Sequence, residues 1–168
     1  MKYLLLTLTI MTSTISLAQN GKAKTIKKTF SRQTAVSIDI NADPAIIWSL
    51  LTNASDFPRW NSTIVSLEGE IKVGQKIRLK SVLDDKRVFK IKVKEMIPEK
   101  RMVWGDGKGT RVFTLSSNNG VVTFTMDEKM GGLMFPMYAK YIPPFDENFE
   151  QFARDLKQEA EQIQKGQD

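Results

Sequence analysis

The stretch DPAIIWSLLTNASDFPRWN, residues 43–61, decides how this chain is organised. Asp43 is a helix cap, because its carboxylate can accept a first-turn N–H, and Pro44 sits where a missing N–H costs nothing. Ile46, Ile47, Trp48, Leu50 and Leu51 follow at helical spacing, Asn53 ends the helix, and a second short helical piece at 55–60 is interrupted by Pro58. Upstream, residues 34–41 alternate with Val36, Ile38 and Ile40 on one face, which predicts a half-buried strand. Downstream the pattern is strand after strand, with turns expected at 70–75, 84–87, 98–100, 106–109 and 118–120. Phe89, Ile91, Val93 and Ile97 alternate with Lys90, Lys92 and Lys94, so one sheet face is dry and the other is left to water.

Beyond Pro143 and Pro144 the period changes. Phe145, Phe149, Phe152, Leu156, Ala160 and Ile163 recur at steps of three or four, the stripe of a long amphipathic helix. Glu150 with Arg154 and Glu161 with Lys165 are favourable pairs on its outer side, and Gly166 suits its end. A one-sided antiparallel sheet and a one-sided helix bury both apolar faces if the sheet curls round the helix. The expected fold is therefore α+β, a curved antiparallel sheet of about seven strands round a long C-terminal helix, with two short helices after the first strand.

The chain has 168 residues, 41% hydrophobic and 26% charged, enough for one core of ordinary size. It contains no histidine and no cysteine, which excludes imidazole bases, thiolate nucleophiles, disulfides and structural zinc. The formal charge is +6, but six basic residues precede position 34 with no acid among them, and the remaining 19 balance the 19 acids. A neutral body without a reading element does not fit nucleic-acid binding.

Lys2, the apolar run 3–15, and Ser16 and Ala18 at the minus three and minus one positions predict a signal peptide at 1–18, cleaved after Ala18, and hence a periplasmic or secreted protein. Residues 19–33 are polar and basic with only Ala23, Ile26 and Phe30 apolar, so a flexible leader is expected there, able at most to touch anionic lipid headgroups weakly. Residues 34–168 form the single expected domain.

The run at 43–61 also resembles the opening of the SRPBCC superfamily, which includes polyketide cyclases, START lipid carriers and birch-pollen-allergen relatives. EGEIKVGQKIRL, RMVWGDG and TRVFTLSSNNGVVTFTMDEKMGGL resemble its later strands, its strand ending in Trp, and its final hairpin with a glycine exit. The resemblance implies the helix-grip fold and a cavity between sheet and long helix that holds apolar or amphipathic small molecules such as lipids, polyketides, sterols or quinones. It implies no single activity.

Candidate cavity residues are Trp104, Arg111, Phe113, Met126, Glu128, Met130, Met134 and Phe149, and the space among Trp104, Phe113, Met126 and Phe149 is expected to be open. Gly131 and Gly132 could hinge a lid or simply make a turn. Asn119-Gly120 signals a two-residue hairpin, and counting outward pairs Leu115 with Phe124, Phe113 with Met126 and Arg111 with Glu128, all on the apolar face. Arg111 would clamp a carboxylate or hydroxyl head and Glu128 would orient it, or the two form a structural salt bridge. The acidic clusters at Asp84–Asp85, Asp127–Glu128 and Asp146–Glu150 lack calcium-loop spacing, so no metal and no cofactor is expected. The functions left are an exported non-catalytic carrier of a small apolar or amphipathic molecule, a cyclase or dehydratase using a cavity carboxylate as acid or base, and, if the core is solid, a plain interaction module.

Overall fold

The computed structural model describes residues 21–167, so the expected signal peptide at 1–18 lies outside the described residues. Eight strands form one antiparallel sheet: β1 Lys24–Lys28, β2 Ser31–Ile40, β3 Ile64–Glu68, β4 Lys76–Ser81, β5 Asp84–Ile97, β6 Arg101–Gly105, β7 Gly109–Asn118 and β8 Val121–Gly131. Their order in space is β1-β2-β8-β7-β6-β5-β4-β3. Helices α1 (Pro44–Thr52) and α2 (Phe57–Trp60) follow β2, α3 (Phe135–Tyr138) follows β8, and α4 (Asp146–Lys165) closes the chain along the concave face. This is the helix-grip fold.

Local chemistry explains the elements. Asp43 caps α1 through the Ala45 N–H at 2.7 Å, with Pro44 in the first turn. Asn119 (φ 50°) and Gly120 (φ 81°) take the left-handed backbone that a two-residue hairpin requires. The register of β7 on β8 is consequently the one counted from the sequence, with Leu115 opposite Phe124, Phe113 opposite Met126 and Arg111 opposite Glu128. In the core, Phe152 of α4 stands within 5.8–6.2 Å of the rings of Phe57, Trp60, Phe113 and Phe124.

Four expectations are corrected. The segment expected as a flexible leader enters the sheet as edge strand β1, paired from Lys24 opposite Ala35 to Lys28 opposite Ser31. Ladder hydrogen bonds hold it, with a Thr25–Thr34 hydroxyl contact at 2.8 Å and a bond from the Ala23 N–H to Glu150 at 3.1 Å, so its low apolar content is no obstacle. The turn expected at 84–87 lies just before Asp84, which opens β5. A bulge between Val93 and Glu95 inverts the alternation, turning Met96 toward the core and leaving Ile97 exposed. On α4, Glu161 pairs with Lys157 rather than Lys165.

Candidate functional site

Register places a row of side chains across the concave face: Thr34 on β2, Glu128 on β8, Arg111 on β7, Trp104 on β6 and Val93 on β5 are successive partners. The next row toward the middle of the grip, Val36, Met126, Phe113 and Met102, is wholly apolar. The boundary between these two rows is where solid core gives way to a cavity.

That cavity has a volume of about 270 Å³, just below the expected ~300–1,000 Å³ of small-ligand sites. Ile64, Leu79, Phe89, Ile91 and Trp104 form its apolar wall, and Tyr138, Tyr141, Ile142, Pro143 and Phe145 line it from the segment that joins β8 to α4. Arg111, Glu128 and Met130 line it from the central hairpin, while the exposed side chains of Asp84, Arg87, Asp106 and Lys108 also border it.

Arg111 and Glu128 are a tight ion pair. Arg111 Nε donates to Glu128 Oε2 at 2.6 Å and Nη2 lies 2.5 Å from the same oxygen. The side chains are only 14% and 13% exposed, and the guanidinium carbon sits 5.0 Å from the centre of the Phe149 ring. Among the described residues, nothing is hydrogen-bonded to Arg111 Nη1 or Glu128 Oε1. An anionic or hydroxyl group entering the cavity would find one uncommitted guanidinium edge in apolar surroundings, where charge-assisted bonds are strong.

Sequence reasoning missed Arg32. This residue is buried in β2 opposite Met130, donating to the carbonyls of Ile142 at 3.2 Å and Pro143 at 2.8 Å, with its guanidinium carbon 4.6 Å from the centre of the Phe145 ring. Burial pushes the Arg32 guanidinium below its ordinary value, against the opposing pull of Glu128 and Asp146. Arg32 thus ties the roof segment to the sheet. The signal available was parity, since Arg32 continues the inward face of Thr34, Val36, Ile38 and Ile40.

Of the eight candidates, Trp104, Arg111, Glu128 and Met130 line the cavity. Phe113, Met126 and Phe149 do not: they are fully buried core, and the space expected to be open among them and Trp104 is filled by packed rings, with Trp104 edge-on to Phe113 at 4.7 Å. Helix α4 projects Phe149 and Phe152 into that part of the grip, which moves the cavity toward the strand ends. Met134 is 58% exposed and does not line the cavity. Gly131 makes a close approach rather than a hinge, since a Cβ there would stand 2.8 Å from the Phe30 carbonyl oxygen. Among the described residues, no group of three or more acidic side chains is placed to hold a metal ion.

Comparison with known proteins places this geometry. A solution structure of the Aha1 dimer from Colwellia psychrerythraea is 19% identical with a TM-score of 0.59, covering 77% of this chain and 96% of that one. A START superfamily protein from Mycobacterium smegmatis is 17% identical with a TM-score of 0.57, covering 78% and 98%. DynU16, a putative protein in the dynemicin biosynthetic locus, is 19% identical with a TM-score of 0.59, covering 79% of this chain but 48% of that one. At such identities the likeness is one of fold. No curated protein matches the chain. Residues 41–163, well over half of the sequence, match the family of the Activator of Hsp90 ATPase homolog 1-like protein, and the chain belongs to that family within the SRPBCC superfamily.

Proposed function

We propose that this protein is a non-catalytic carrier of a small amphipathic molecule whose apolar body lies against Phe89, Ile91 and Trp104 and whose carboxylate or hydroxyl head meets Arg111. The observation that carries the proposal is the ion pair set into the cavity wall. Charges in an apolar cavity are costly unless paired, and this pair still offers Arg111 Nη1. The volume of about 270 Å³ suits a medium-chain or single-ring body, and the opening lets a longer tail protrude. The cyclase or dehydratase alternative needs a cavity carboxylate as acid or base: Glu128 Oε2 takes two contacts from Arg111, which fits a positioning role, while Asp84 and Asp106 stand exposed at the cavity border rather than in its apolar wall. Export belongs to the same proposal and is supported by the three-part pattern of residues 1–18.

Displacement of a fluorescent medium-chain fatty acid tests the site. Ile91→Trp, which fills the cavity from β5, should abolish binding by a protein that still unfolds cooperatively. Undiminished binding by the folded Ile91→Trp variant would place the ligand elsewhere and overturn the proposal.

A further inference from the structure

The segment between β8 and α4 carries its apolar side chains outward. Leu133 is 84% exposed, Tyr141 74%, Met137 67% and Met134 58%, while Phe135 turns in to the core. Phe30, at the β1–β2 turn, is 53% exposed and adjoins them, because the Gly132 N–H donates to its carbonyl at 3.0 Å. Single exposed apolar residues are ordinary, but a cluster on one short segment marks a contact surface.

The charges around the cluster say what kind. Lys28, Lys108, Lys129 and Lys140 are all exposed. Lys108 Nζ stands 5.5 Å from the centre of the Tyr138 ring and Lys140 Nζ 4.9 Å from that of Tyr141. Asp106 shares this end of the sheet, but its Oδ1 accepts the N–H groups of Lys108 and Gly109. An apolar tip ringed by lysines is complementary to an anionic lipid surface: the apolar groups enter the headgroup boundary and the ammonium groups meet the lipid charges. A second copy of the chain would bring like charges together across a two-fold axis. We propose that Phe30, Leu133, Met134, Met137 and Tyr141 form a docking face for anionic bilayers. Tyr138, Tyr141 and Lys108 also line the cavity, so docking would bring its opening to the bilayer.

The chain contains no cysteine, so Met137→Cys gives a unique attachment point for an environment-sensitive dye, with Val65→Cys, exposed on β3, as control. On vesicles of phosphatidylglycerol mixed with phosphatidylcholine, the dye at 137 should shift to the blue. Phosphatidylcholine alone should give no shift, high salt should reverse it, and the dye at 65 should stay unchanged. Adding Leu133→Asp should raise the lipid concentration needed for half the shift by more than about tenfold. No shift at 137, an equal shift at 65, or a shift driven by protein concentration without lipid would overturn the proposal. It stands apart from the ligand proposal, since fatty-acid affinity of Leu133→Asp reads the cavity alone and should not change.

Discussion

Arg111 faces Glu128 across the central hairpin, with Nε 2.6 Å from Oε2 and the guanidinium carbon 5.0 Å from the centre of the Phe149 ring of α4. The Asn119-Gly120 turn at the far end of β7 and β8 sets that pairing, and a slip of one residue would put the two charges on opposite faces of the sheet. The polar chemistry of the cavity is therefore specified by a turn remote from it.

Glu128→Gln separates the two functions that the site could serve. In a carrier, Glu128 only orients Arg111, so affinity for a neutral ligand should stay within about threefold of wild type, under 1 kcal/mol. Equilibrium titration with a medium-chain alcohol measures this. If the protein instead turned over some substrate and Glu128→Gln abolished that turnover, the carboxylate would be a catalytic group and the carrier account would fail.

Arg32→Met releases the roof. Two charge-assisted bonds, to the carbonyls of Ile142 and Pro143, are lost together with the contact to the Phe145 ring, and stability should fall by about 2 kcal/mol. Ligand association and dissociation should both quicken while their ratio changes little, because Phe89, Ile91, Trp104 and Arg111, the proposed ligand contacts, are unchanged. Stopped-flow rates check this, and unchanged rates would mean that the roof does not gate the cavity.

Phe152→Ala should cost about 3–5 kcal/mol in urea denaturation, the usual penalty for emptying a buried aromatic site. Four rings surround this side chain, so little can collapse into the space. Phe152→Leu, which keeps most of the volume, should cost clearly less. Equal losses for the two substitutions would show that Phe152 is not the packing centre of the grip.

What could be read from the sequence, and what could not, follows from which interactions are local. The hairpin pairing was legible because Asn119-Gly120 is a strong signal for a two-residue turn, and the grip helix because Phe149, Phe152, Leu156 and Ala160 repeat at helical spacing. Strand parity gives the face of a residue but not its depth along the strand. Trp104 and Phe113 share a face, and only the positions of Phe149 and Phe152 decide that one lines a cavity and the other lies in packed core. Ile97 was misplaced because the bulge at Val93 and Glu95 has no residue signature. Strand β1 was hidden because backbone pairing to an open sheet edge does not depend on apolar content, whereas Arg32 continues the inward parity of β2 and was missed because it lies in the segment expected as a leader.

Acid should loosen the attachment of α4. Burial opposes charge on Glu150 and Glu161, but the Ala23 N–H with Lys22 and Arg154, and the Asn41 N–H with Lys157 and Lys165, overcome it and hold both carboxyls below the ordinary carboxylate range. The unfolded chain therefore binds more protons as pH falls, so this stabilisation is fully present above about pH 4.5 and is lost as pH drops through the folded values. Urea midpoints should stay level from about pH 7 to 5 and fall below about pH 4, with a shallower fall in Glu150→Gln/Glu161→Gln. Identical acid slopes for the variant and wild type would remove these two groups from the account.

The most direct measurement is a matched pair of ligands, a medium-chain carboxylate and its methyl ester, titrated into wild type and Arg111→Met at neutral pH. Wild type should bind the carboxylate more than about tenfold tighter than the ester, a difference of at least about 1.4 kcal/mol, and Arg111→Met should bind the two alike with ester affinity unchanged. A preference for the carboxylate that survives in Arg111→Met, or an equal loss of both ligands, would contradict the assignment of Arg111 as the group that meets the ligand head.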